Sequence, residues 1–366
     1  VAKAMKRIWP ALLVLLVSAL FVAWRLQLYE GDPIALAEIG TRYAELDPDG
    51  TEGYDGQFST YIALDPDPRR VAPHLDVPAY RYQRILYPLL ARLIGFGNPE
   101  LIPWSLIIIN LIVHAGATYL LAGLLSELGV APAYALIYGL WVGLISGVGL
   151  NLHEPLAYGL VVLAFVFRYQ RRYVPMAVAL GLALFAKEST LIFWLAILIT
   201  DLIDRKAFKI VLALFVSGLL FGAWQIWLWS LFGMPGIGSG GEMATPFEFI
   251  PFMGFIRIGF VDLRVFGLYL LIFGPTVIFP TIYTLIQSIK MYRNEQNNEY
   301  AWSAALNSAL IILLPFSTAR EPLGLVRIFS GVVLSFVLLN ARIQNRRNLN
   351  YAYFWIAMLA LVISQQ

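Results

Sequence analysis

Apolar runs long enough to approach a bilayer's thickness recur along almost the whole chain, and no other property restricts its fold as tightly. In order they cover 9–28, 101–125, 131–150, 155–169, 174–187, 189–203, 209–232, 264–288, 300–316, 323–341 and 350–364. A membrane helix needs roughly 20 such residues. Inside hydrocarbon every backbone N–H and C=O must find a partner within the protein, and a helix supplies one within a single segment. These eleven runs predict an all-α polytopic membrane protein with about eleven transmembrane helices, built as a single membrane domain over 1–366.

Two stretches break the pattern: 29–100 and 233–263. The positive-inside rule fixes their side. With the N-terminus in the cytoplasm, Lys3, Lys6 and Arg7, then Arg168, Arg171 and Arg172, then Arg205, Lys206 and Lys209, then Lys290 and Arg293, and finally Arg342, Arg346 and Arg347 all fall on the inner side. Both long segments then lie outside, as the first and second extracytoplasmic loops. The first apolar run continues through Trp24 into Arg25 without a small-residue cleavage pattern, so it reads as a retained anchor and not as a signal peptide.

Composition excludes several function classes. Of 366 residues, 59% are hydrophobic and 13% are charged, whereas soluble domains carry about 25% charged residues. A net charge of only +3 gives no electrostatic footprint for nucleic acid. With no cysteine there is no disulfide, iron–sulfur or thiol chemistry, and three histidines do not make a histidine-rich metal or haem site. No cofactor and no metal site is expected. The strings Asp47-Pro-Asp49 and Asp65-Pro-Asp67 could hold a divalent cation, but proline-bracketed turns explain them and are favoured. The string G-M-P-G-I-G-S-G-G in the second loop follows no strand, so it reads as a flexible, substrate-gated loop and not as a phosphate cradle.

The chemistry-bearing residues gather at the outer face. In the first loop, Y-D-G-Q-F at 54–58 places Asp55 at the start of a short helix. That helix carries Phe58, Tyr61 and Ile62 on one face and stops at Asp65-Pro66. Asp55 is either an N-cap or a functional carboxylate. Downstream, 80–94 predicts one interfacial amphipathic helix, with Arg81, Arg84 and Arg92 toward water and Ile85, Leu86, Leu89, Leu90 and Leu93 on the other side. Pro88 should bend or end its first half. Glu154 and Glu321 each precede a proline that opens a helix, so each is either an acidic helix start or a cavity carboxylate. Glu321 can also pair with Arg320. Lys187 and Glu188 are adjacent and need not pair with each other, which leaves Lys187 able to face a phosphate. His114, in mid-membrane, is expected to be a packed, hydrogen-bonded residue.

An N-terminal helix, a long first outer loop with an early Asp, interfacial helices in that loop and many following helices together resemble the GT-C superfamily. The strings Y-D-G-Q-F and R-Y-Q-R-I-L-Y-P-L-L at 81–90 resemble those of bacterial members tied to cell-surface glycopolymers. The resemblance implies an integral-membrane hexosyl- or pentosyltransferase of the bacterial plasma membrane, with its active site extracytoplasmic. It would move a sugar from a polyprenyl-phosphate donor to a glycan or lipid acceptor, with inversion. The resemblance maps the catalytic carboxylate onto Asp55 and makes Arg81, Arg84, Lys187 and Arg320 candidates for the lipid phosphate; from their outer-face positions Glu154 is expected to be catalytic as well, and Tyr54, Gln57, Glu188 and Glu321 to bind substrate. A carboxylate can take the acceptor's proton, and a cation can neutralise the departing phosphate. The chain departs from larger members in lacking a C-terminal soluble domain. The alternative reading is a polytopic transporter or a flippase for a lipid-linked substrate, which would place charges through the membrane depth and break helices near the midplane.

Overall fold

The apolar runs fold as helices. The computed structural model describes residues 2–294 and 297–363, and among them the only β pairing is a single bridge between Ile39 and Gly53. Five helices are long and apolar enough to cross a membrane: Met5–Leu28, Ile102–Glu127, Phe208–Phe232, Leu263–Arg293 and Pro322–Arg342. A sixth arises if Pro132–Gly139 and Val142–Gly149, bent by 58° relative to each other, form one span. The chain is therefore an all-α membrane-embedded protein. Four of the other predicted runs form helices of only 13 to 16 residues: Glu154–Tyr169, Tyr173–Ala186, Leu191–Ile203 and Glu299–Ile312. The last run divides into Arg346–Ala352, a 3-10 stretch Tyr353–Leu359 and Ala360–Ile363. Residue 364 of that run lies outside the described residues.

Each break in the long helices has a local cause. Trp141 adopts an extended backbone (φ −68°, ψ 128°) between the two halves of the bent pair, and its indole donates to the Val326 carbonyl at 2.8 Å. The Leu263–Arg293 span loosens into a π-helical stretch at Gly274–Ile278, where Pro275 lacks a backbone N–H. His114 is fully buried, and its Nε2 lies 2.8 Å from the Gly139 carbonyl, as its sequence position predicts.

At the centre stands Pro322–Arg342, most of it enclosed by protein. It packs against Val142–Gly149 and Glu299–Ile312, while Ile102–Glu127 packs between Ala2–Leu28 and Glu154–Tyr169. Side-chain contacts identify the two ends of the bundle. At one end Arg7 meets Glu127, Arg168 meets Asp201 and Glu299, and Gln344 reaches the Leu128 carbonyl. At the other end the 29–100 segment meets His153, Glu188, Glu321 and Arg327.

The 80–94 segment departs from its predicted form. It is two helices, Pro78–Tyr82 and Leu86–Ile94, separated by a turn at Gln83–Ile85. Pro88 lies in the first turn of the second helix, where its missing donor costs nothing. The arginines do not face water. Arg81 and Arg84 are buried, while Leu89, Leu93 and Ile94 are exposed. Arg92 turns back to donate to the Ala63 and Leu64 carbonyls, closing the end of the helix that Asp55 begins.

Candidate active site

Gly56–Leu64 forms where the sequence predicts it, with Asp55 at the N-cap position and Asp65 just past its end. Phe58 and Ile62 are buried in one apolar cluster with Tyr82 and Ile85. Gly56 lies against the Leu150 carbonyl so closely that a Cβ there would sit 2.1 Å from that oxygen, so only glycine fits beside Asp55. The Asp55 side chain does not cap the helix. Its Oδ1 lies 2.9 Å from Arg81 Nη1, and its Oδ2 accepts from Arg327 Nη1 at 2.7 Å. Burial works to raise the Asp55 pKa, but Arg81, Arg327 and Arg84 outweigh it and hold the carboxyl well below the usual range.

Around this pair the charges interlock. Arg81 also grips Asp76 through two contacts of 2.7 Å. Arg84 holds Glu188 in a fork, Nε to Oε2 at 2.7 Å and Nη2 to Oε1 at 2.6 Å, and also reaches the Tyr80 hydroxyl. Glu154 Oε1 accepts from Lys187 Nζ at 3.0 Å and from Arg327 Nε at 2.8 Å. Arg327 Nη1 further donates to the Tyr54 hydroxyl at 2.8 Å, and that hydroxyl donates to Glu321 Oε1 at 3.0 Å. Asp76, Arg81, Asp55, Arg327, Glu154 and Lys187 thus form one chain of ion pairs, with Arg84–Glu188 as a separate pair, so that four cations balance four carboxylates. Such balance is what permits buried charge at this density.

The network forms one wall of a cavity of about 1050 Å³, lined by Tyr54, Asp55, Asp76, Tyr80, Arg81, Glu188, Arg320 and Glu321. The second loop forms its other wall, through 237–247. Glu242 ties that loop down, accepting from Arg42 Nη2 and from the Tyr43 hydroxyl, each at 2.9 Å. Thr245 and Ser317 secure its far side through bonds of 3.0 to 3.2 Å. A smaller cavity of about 240 Å³ lies at the opposite end, beside Arg7 and Glu127.

The sequence-predicted residues therefore divide. Tyr54, Asp55, Arg81, Glu188, Arg320 and Glu321 line the cavity. Gln57 touches it, but its amide is committed to the backbone, accepting from Gly40 N–H at 3.1 Å and donating to the Glu52 carbonyl at 2.7 Å. Glu154, Arg84 and Lys187 are buried behind the wall, so Lys187 meets a carboxylate where a phosphate was expected. Arg320 and Glu321 do not pair with each other, and neither forms an ion pair among the described residues. The strings Asp47-Pro-Asp49 and Asp65-Pro-Asp67 are turns, each closed by a backbone N–H on its first carboxylate. No cluster of metal-ligating side chains occurs among the described residues. Sequence reasoning missed Arg327 and Asp76. The first carried a usable signal, being the only charged residue of an apolar run before Arg342. Comparison with family models, with curated proteins and with solved structures returned no match.

Proposed function

We propose that this chain is a GT-C-type glycosyltransferase, transferring a sugar from a polyprenyl-phosphate donor to a glycan or lipid acceptor. The observation that carries the reading is the cavity of about 1050 Å³ at one end of an apolar bundle, with Asp55 held between two guanidiniums in its wall. Small-molecule sites usually enclose about 300–1,000 Å³, so this space suits a donor head group together with an acceptor. Its charge suits that pairing as well. Arg320, with no ion-pair partner among the described residues, offers a cation to a leaving phosphate, while Asp55 and Glu188 offer hydrogen-bond acceptors to the donor sugar and Glu321 offers one to the acceptor hydroxyl.

In this proposal the chain crosses the membrane eleven times and the cavity faces outward. Support comes from the ends of the helices: the 29–100 loop meets residues 153, 188 and 321 at one end, while Arg7, Arg168 and Gln344 sit at the other. The short basic segments fall at the second end, as the positive-inside rule asks of a cytoplasmic face. Asp55 is the direct catalytic partner in this reading, and Glu154 acts behind it by fixing Arg327. The test is sugar transfer from a polyprenyl-phosphate donor by purified protein in lipid. Asp55→Asn should retain the fold and lose transfer, and native-rate transfer by that variant would remove Asp55 from the site.

One observation favours the transporter reading: the 58° bend between Pro132–Gly139 and Val142–Gly149. The bend is packed by Trp141 and Phe329, and the titratable His114 beside it is engaged with the Gly139 carbonyl. Uptake of lipid-linked sugar into protein-containing vesicles, without transfer, is the result that would select this reading.

A further inference from the structure

We propose that Glu321, and not Asp55, takes the proton of the acceptor hydroxyl, with Tyr54 and Gly324 as its positioning residues. The inference rests on the transferase reading and deepens it by assigning the base. A general base must reach the substrate, and it must not already be neutralised by a fixed cation. Asp55 meets the first condition only in part. Its side chain is 27% exposed, and each of its oxygens is held by an arginine. A carboxylate gripped in that way binds a proton weakly.

Glu321 lies on the cavity wall, exposed, with no ion-pair partner among the described residues. It occupies the N-cap position of Pro322–Arg342, but its side chain does not cap that helix. Instead Oε1 accepts the Tyr54 hydroxyl at 3.0 Å, and that hydroxyl is itself fixed by Arg327 Nη1 at 2.8 Å. The Arg327–Tyr54–Glu321 chain therefore orients the carboxylate without neutralising it. Gly324 leaves space for the other oxygen, since a Cβ at 324 would lie 2.7 Å from Glu321 Oε2. The groups facing Glu321 are Tyr54 from the first loop, Arg327 from its own helix, Tyr269 from Leu263–Phe273, and its chain neighbour Arg320.

The step balances. The acceptor O–H breaks and its proton passes to a Glu321 oxygen. The acceptor oxygen bonds to the anomeric carbon. The anomeric carbon–oxygen bond to phosphate breaks, and its electron pair leaves on the polyprenyl phosphate, toward Arg320. Glu321 then returns its proton to water through the open cavity.

The experiment uses full-length protein in lipid, with short-chain polyprenyl-phosphate glucose, mannose and arabinose as donors and octyl glycosides as acceptors. Donor binding and the pH dependence of kcat are measured separately. Glu321→Gln should bind donor normally, lose about 10²–10⁴-fold in kcat, and lose the acid limb of the pH profile. Glu321→Asp should recover part of the rate, and Gly324→Ala, which displaces the carboxylate, should lower kcat with donor binding unchanged. Asp55→Asn should instead weaken donor binding while keeping the acid limb on the residual rate. If Glu321→Gln keeps native kcat and its acid limb while Asp55→Asn loses both, the base is Asp55 and the inference is overturned, with the transferase reading intact. If the native protein binds and transfers none of these donors, the reading itself fails, and the inference with it.

Discussion

Glu154→Gln offers a quantitative test of the buried network. Glu154 is fully buried, and one of its oxygens accepts from both Lys187 and Arg327, which are themselves 5% and 6% exposed. Glutamine keeps the shape and removes the charge, so the balanced set of four cations and four carboxylates gains one uncompensated positive charge. Arg327 retains Asp55 at 2.7 Å, but Lys187 keeps no direct acidic partner among the described residues. Breaking a buried pair from one side costs about 3–5 kcal/mol, chiefly by stranding the other charge. Lys187→Met should then relieve much of that strain. The double variant should be more stable than the sum of the two single losses predicts, by about 1–3 kcal/mol of coupling. The assay is reversible unfolding of the purified protein in mixed micelles, with all four members of the double-mutant cycle measured together. Single losses that add to within about 0.5 kcal/mol would mean that the two side chains act independently, and the network argument would fall.

Asp55 has a folded pKa below its unfolded value of about 3.9, so its stabilising contribution is complete above that value and fades as pH falls through the folded pKa. The stability difference between the native protein and Asp55→Asn should therefore be flat from about pH 5 to 8, and a slope there would refute the arginine-held carboxylate. Arg84→Lys should cost about 1.5–3 kcal/mol, because an ammonium cannot reproduce the fork on Glu188, and an unchanged unfolding midpoint would count against it. Glu242→Gln loosens an exposed contact with Arg42, so stability should change by less than about 1 kcal/mol, yet limited proteolysis within 236–246 should speed up. For topology, a cysteine at Phe249, which is 96% exposed, should react with an impermeant thiol reagent from outside intact cells, and one at Arg171 should not. The reverse pattern would turn the cavity toward the cytoplasm.

Much of the fold could be read from the sequence because hydrocarbon leaves the backbone few options. The apolar runs located the five long helices, and Asp65-Pro66 and Pro322 marked helix ends that the structure reproduces. Pairing could not be read in the same way. Arg84 meets Glu188 across 104 positions, and Arg327 meets Asp55 across 272, so neither partnership leaves a local trace. The error over 80–94 has a more general cause. The amphipathic rule sends charge outward to water, which holds for a helix on a soluble core. Here the ordering inverts: Leu89 and Leu93 are exposed, whereas Arg81 and Arg84 are buried on Asp55, Asp76 and Glu188, because a charge inside the protein needs partners.

The same inversion explains why Arg327 leaves so faint a trace in the sequence and why it matters. In a run read for apolarity, one arginine barely lowers the mean. Placed in a membrane helix, an arginine is costly unless it is paired. The cost is tolerable only where partners are already waiting, and here three are: Glu154 Oε1 at 2.8 Å, Asp55 Oδ2 at 2.7 Å and the Tyr54 hydroxyl at 2.8 Å. Glu154 comes from the bundle, while Asp55 and Tyr54 come from the first loop. Arg327 therefore ties that loop to the central helix, alongside the Arg84–Glu188 and Ser59–His153 contacts. Asp55 alone does not mark the site in the sequence. A carboxylate in a polar loop together with an arginine inside a later apolar run does, since each is costly without the other and the two meet only if the loop folds back onto the bundle.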